Sequence, residues 1–178
     1  MRKSKVSDLV YMAMFVALLA VCSWICIPMT VPVTLQTFAV FTAVAVLGMK
    51  RGVLAVLAYI ILGAVGVPVF SGFRGGFGMI LGATGGFLLG FVPAALVSGL
   101  IMKVFGKKTW IMAGAMIAGL LVCYTFGTVW FLCVYATTQS AVGVMTALTW
   151  CVFPFVIPDL CKIALAVILG KRMAGLVP

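Results

Sequence analysis

Apolar positions along the 178-residue chain come in long runs, broken by short clusters of proline, glycine and basic residues. Runs of about 20 apolar residues have the length of a bilayer-spanning helix. They predict helices over residues 7–27, 37–49, 52–67, 84–104, 110–135 and 150–170, the second and third being short for a span. The first run stops at Pro28. It is too long for a cleaved signal peptide and lacks a small-residue cleavage site, so it is expected to remain as the first helix. Residues 28–36 hold two prolines among β-branched residues and read as an extended or re-entrant loop. Residues 68–83 form a Gly-rich loop with Phe and one Arg, and Pro154 and Pro158 make the start of the sixth helix irregular.

Composition changes the solvent in which this pattern must be read. Hydrophobic residues make up 66% of the chain and charged residues 8%, against about a quarter charged in an average soluble protein. Mean hydropathy is +1.37. An all-α integral membrane protein is therefore expected, with residues 1–178 forming a single six-helix transmembrane domain.

The formal net charge of +10 sets orientation and does not point to nucleic acid, because no basic face forms. Arg2, Lys3, Lys5, Lys50, Arg51, Lys103, Lys107, Lys108, Lys171 and Arg172 all fall on one side of a six-span topology. The positive-inside rule places that side, and both termini, in the cytoplasm. The loops after helices one and three then face outward, as does the 136–149 loop, whose Thr137, Thr138, Gln139 and Ser140 form a modest polar cap.

The remaining charges carry the candidate chemistry. Asp8, beside the basic N-terminus, reads as an interfacial ion pair. Asp159 and Lys162 lie three residues apart in the sixth helix and share one face. Ionisable residues inside a membrane face cavities or pair with one another. The two therefore form either a self-neutralising brace for that helix or a ligand site with one acceptor and one donor. Arg74, the single outer-side cation, sits on a Gly-rich loop that can fold tightly. It reads as a solvated loop residue or as a guanidinium reaching over a pocket.

Gly82, Gly86 and Gly90 form a stripe allowing close helix approach, and Ala13 and Ala17 form a similar pair on the first helix. Tyr124, Trp130, Tyr135 and Trp150 read as interfacial anchors, one or two of which could wall a ligand. The six cysteines lie in apolar runs without a CxxC pair, and the chain has no His. Packing roles are expected for them, with no metal site and no His-based catalytic set. No P-loop motif is present, so ATP is not bound in that way. Binding without catalysis is the expectation.

Four segments resemble one family. Ile27-Pro28-Met29-Thr30-Val31-Pro32-Val33-Thr34-Leu35-Gln36-Thr37-Phe38 is similar to the signature after the first helix of the biotin-specific S component of energy-coupling-factor transporters. The likeness continues through Leu62-Gly63-Ala64-Val65-Gly66-Val67-Pro68-Val69-Phe70, then Leu81-Gly82-Ala83-Thr84-Gly85-Gly86-Phe87-Leu88-Leu89-Gly90-Phe91. It ends with Ile157-Pro158-Asp159-Leu160-Cys161-Lys162. Ala83 and Phe87 stand where that family often has Pro and Tyr, and the missing hydroxyl leaves Phe87 without an assigned ligand contact.

The resemblance implies a high-affinity biotin-binding subunit in the multi-pass membrane of a bacterial cell. It would need no cofactor of its own and would work with a transmembrane coupling protein and two ATPase subunits. It would reorient in the bilayer as those partners use ATP. On that footing Asp159 would accept from the ureido N–H groups of biotin. Lys162 or Arg74 would bind the ureido oxygen or the carboxylate, with Gln36 and Thr34 on the lid side and Tyr124 in the wall. Ala13 and Ala17 become candidates for the coupling-protein contact. A subunit for another vitamin, and a ligand-free structural subunit, are the alternative readings.

Overall fold

A computed structural model describes residues 2–29, 31–138 and 143–173. Among them lie α1 (Arg2–Trp24), β1 (Cys26–Ile27), β2 (Val33–Thr34), α2 (Gln36–Val65), α3 (Phe77–Leu81), α4 (Gly85–Phe105), α5 (Thr109–Thr138), α6 (Val144–Cys151) and α7 (Phe153–Met173). Among the described residues the regular elements are all helices apart from one two-stranded ribbon. Among the described residues five stretches are long and apolar enough to cross a membrane: Val6–Trp24, Gln36–Val65, Gly85–Phe105, Thr109–Thr137 and Val144–Met173.

The stretch Gln36–Val65 is two helices. Gly48 interrupts it with φ 81° and ψ 172°, backbone angles that glycine alone adopts cheaply. The two arms fold back on each other. A Cβ on Gly52 would lie 2.8 Å from the Cα of Val44, and Gln36 bonds Tyr59. In one straight helix those pairs would be roughly 12 Å and 35 Å apart. The hairpin therefore supplies the second and third of the six predicted helices, with Lys50 and Arg51 beside its turn.

The first helix ends at Trp24, earlier than predicted. Cys26–Ile27 then pairs antiparallel with Val33–Thr34, as the proline and β-branched composition of that loop favours. At the other end of the chain the helices α6 and α7 are separated by Val152 (φ −125°, ψ −58°). The sixth helix thus starts earlier than predicted and is broken near its beginning. Thr138, Gln139 and Ser140 of the predicted polar cap, and the side chains of Arg2, Lys3 and Lys5, lie outside what is described.

Helix α2 is central and touches α1, α4 and α7, while α4 also packs along α5. Small residues make the approach close. A Cβ on Gly86 would fall 2.2 Å from Trp130 Cβ, and one on Gly90 3.3 Å from Cys123 Sγ. The predicted small-residue stripe is thus a packing seam for these two positions, while Gly82 lies before the helix, its carbonyl accepting from Trp130 Nε1 at 3.1 Å.

One end of the bundle gathers the basic clusters. Asp8 pairs with Arg51 at 2.9 Å, and Lys107 Nζ donates to the Ala45 carbonyl at 2.7 Å. Asp8 therefore ties α1 to the hairpin turn. Lys107 caps the carbonyl end of the first hairpin arm, where the helix dipole is negative. Burial lowers the Lys107 pKa. The core is apolar, as in a soluble protein, but so is much of the outer surface: Leu9, Leu54, Ile61, Leu121 and Leu165 are exposed, whereas Ser23, Gln36, Ser98, Asp159 and Lys162 are among the few buried polar residues.

Candidate ligand site

Asp159 stands in the second turn of α7, directly after Pro158, and is 2% exposed; Lys162, one turn on, is 5% exposed. Lys162 Nζ donates to Asp159 Oδ1 at 2.7 Å. Thr37 Oγ1, in the first turn of α2, donates to the same oxygen at 2.8 Å. Tyr124 OH, from α5, donates to Oδ2 at 2.6 Å. Three helices therefore converge on one carboxylate. A carboxylate has about four lone-pair directions and an ammonium three N–H donors. One acceptor direction on Asp159 and two donors on Lys162 remain unspent by these bonds, and both residues line a cavity.

That cavity, of about 50 Å³, is lined by Val31, Pro32, Phe87, Phe91, Cys151 and Phe155 among others, with Asp159, Lys162, Tyr124, Thr34, Gln36 and Thr37 as its polar members. It adjoins a larger one of about 270 Å³, which Arg74, Ser71, Met79 and Phe70 help to line. Val31, Pro32, Gln36, Phe87 and Phe91 belong to both walls. The arrangement is an apolar slot with a buried charged pair at one end and a cation at the other, the character of a small-molecule site.

Gln36 stands where the compartments meet, held by its neighbours. Its Nε2 donates to Tyr59 OH at 2.6 Å and its Oε1 accepts from Thr34 Oγ1 at 2.9 Å. Tyr59 OH in turn donates to the Val69 carbonyl at 2.9 Å, tying the slot to the loop after the hairpin. One amide N–H of Gln36 is left for a ligand, whereas the Thr34 hydroxyl proton is already used.

The family model for the BioY family matches residues 1–178. The chain belongs to the BioY family. It is 41% identical over 172 residues to the probable biotin transporter BioY of Pyrococcus horikoshii, covering 96% of this chain and 98% of that one. It is 40% identical over 170 residues to the biotin transporter BioY of Thermotoga maritima, with 95% and 96% covered. Among solved structures it is similar to the S-component for biotin from an ECF-type ABC transporter. That match has a TM-score of 0.87 and 25% identity, covering 97% of this chain and 93% of that one.

Within this BioY-family fold, the predicted residues separate into groups. Asp159, Lys162, Tyr124, Gln36 and Thr34 come together around the smaller cavity, and Arg74 lines only the larger one, on an exposed turn. Ala13 and Ala17 are exposed on α1, among the exposed Leu9, Val10, Met14 and Val21. Trp130 packs against Gly86 and donates to the Gly82 carbonyl. Three residues of the site escaped the sequence reading. Thr37 was read only as a helix start, Tyr59 as part of an apolar run, and Phe87 as lacking a role because it has no hydroxyl. Phe87 serves as wall, lining both cavities and packing on Gly127.

Proposed function

We propose that this chain is the membrane-embedded, biotin-binding subunit of an energy-coupling-factor transporter. The observation that carries the proposal is the buried Asp159–Lys162 pair with unspent hydrogen-bonding capacity at the narrow end of an apolar slot. Relatives about 40% identical over nearly the whole chain are named biotin transporters, and the similar solved structure is an S-component for biotin. Biotin offers what the slot would recognise: a ureido group with two N–H donors and a carbonyl, apolar fused rings, and an aliphatic tail ending in a carboxylate.

In this reading the rings lie against Phe87, Phe91 and Val31. Asp159 accepts from ureido N–H, and Lys162 donates to the ureido oxygen. Tyr124 and Thr37 hold the carboxylate in place, and Gln36 supplies its free N–H. The tail runs into the larger compartment, where Arg74 meets the carboxylate. A charged donor or acceptor bonded to the ligand is worth about 1.5–3 kcal/mol.

The basic end of the bundle, with Arg51, Lys107 and Lys171, faces the cytoplasm, as the positive-inside rule requires. The β1–β2 ribbon and the 66–84 loop then cover the slot on the outer side. A transmembrane coupling protein and two ATPases supply the energy, and the exposed Ala13 and Ala17 give the coupling protein a close approach on α1. Labelled-biotin uptake by a biotin auxotroph expressing this chain, with and without the coupling protein and ATPases, tests the proposal. Uptake above background supports it. Absence of uptake in both strains, with the protein shown in the membrane, overturns it.

A further inference from the structure

The larger compartment is roofed in part by a tight turn whose geometry is unusual. Phe70 N–H donates to the Arg74 carbonyl at 2.9 Å, so Ser71, Gly72 and Phe73 form the tip. Gly72 has φ 71° and Phe73 φ 57°. Phe73 is the single non-glycine residue with positive φ among the described residues, and that conformation is costly for a side chain of its size.

The base of the turn is fixed. The Phe70 ring is buried against Gly63, where an added Cβ would lie 2.1 Å from it. Gly76 N–H donates to the Gly63 carbonyl at 2.7 Å. The tip is held sideways by stacking. The rings of Phe73 and Trp24 lie 4.8 Å apart at 22°, and Trp24 Nε1 donates to the Pro68 carbonyl at 3.0 Å, which locks the indole at the end of α1.

The strain at Phe73 and the gain from one ring stack are of similar size and opposite sign. The ring stack is therefore what offsets the backbone cost at the tip, while hydrogen bonds hold the base. Arg74 follows Phe73 directly and lines the larger compartment, so the tip that the stack holds is continuous with the residue that carries the guanidinium.

We propose that Trp24 and Phe73 are positioning residues that latch the Arg74 turn over the larger compartment and so set how long a carboxylate-bearing ligand is retained. The inference rests on the biotin reading of the slot. The competing role for such a pair, anchoring in the membrane interface, requires no effect on the ligand.

The test compares dissociation of biotin and of biotinamide, whose tail is neutral, from the full-length protein in nanodiscs. The variants are Phe73→Gly, which removes the ring and relieves the strain, Phe73→Leu, and Trp24→Leu. Each variant is expected to release biotin roughly tenfold faster while changing biotinamide release less than about twofold. In an Arg74→Gln background the same substitutions should no longer matter for biotin. Because Phe73→Gly relieves strain, it keeps the comparison open should another variant fold poorly. Wild-type release of biotin by all three variants, or equal acceleration for both ligands, would overturn the latch alone. Failure of the wild-type protein to bind biotin would overturn the reading of the slot and the latch with it.

Discussion

Replacing the charged pair by apolar residues separates a brace from a binding site. In Lys162→Met the Asp159 carboxylate stays buried with only Thr37 and Tyr124 as donors. Removing one partner of a buried pair costs about 3–5 kcal/mol, so this variant and Asp159→Leu should both melt well below wild type. The double variant Asp159→Leu/Lys162→Met buries no charge. Its remaining cost is the two hydroxyls left without an acceptor, about 1–3 kcal/mol each, so it should be more stable than Asp159→Leu, which leaves the same hydroxyls and an unpaired Lys162 besides. Biotin binding should behave in the opposite way. The double variant lacks both an acceptor and a donor for the ureido group, each worth about 1.5–3 kcal/mol. Affinity should fall by roughly 10²–10⁴-fold although stability is partly restored. Thermal unfolding in detergent, followed by titration with labelled biotin, measures both quantities on one preparation. If the double variant were stable and bound biotin as wild type does, the pair would be a brace and the site assignment would be wrong.

Tyr124→Phe removes one bond to Asp159 Oδ2 and should weaken biotin binding by roughly tenfold, as read by equilibrium titration; unchanged affinity would mean that the hydroxyl does not position the carboxylate. Gly86→Ala would drive a Cβ to 2.2 Å from Trp130 Cβ and should cost about 1–3 kcal/mol, visible as a lower melting temperature. Burial lowers the Lys107 pKa below its ordinary 10.5, so between those values the unfolded chain binds the extra proton. Stability should rise as pH climbs through that window, and Lys107→Met should abolish that rise in a pH series of melting curves. Ala13→Leu with Ala17→Leu should leave biotin binding intact and abolish uptake with the coupling module, whereas normal uptake would remove α1 from the proposed coupling contact.

Much of the frame was legible along the chain because bilayer constraints act locally. Apolar run lengths marked the helices, and Lys50 and Arg51 marked the break between the second and third before any contact was known. Asp159 and Lys162 stood out because charge inside an apolar run is rare. Partners from distant segments were not legible. Nothing local to Tyr59 points to Gln36, and Thr37 looks like a helix start until α7 is folded beside it. Asp8 has basic residues close in sequence, yet it bonds Arg51, which only the hairpin brings near. The stretch 136–149 read as one loop, but much of it is helical in α5 and α6. The rings that flank it, Tyr135 and Trp150, meet edge to face with centroids 6.2 Å apart, a contact between two helices that the chain order alone does not show.

Calorimetric titration of the purified wild-type chain with biotin, riboflavin and thiamin addresses the central claim most directly. Saturable one-to-one binding of biotin, with no heat of binding for the other two, is the predicted result. Binding of riboflavin or thiamin in place of biotin, or of none of the three by folded protein, would contradict it.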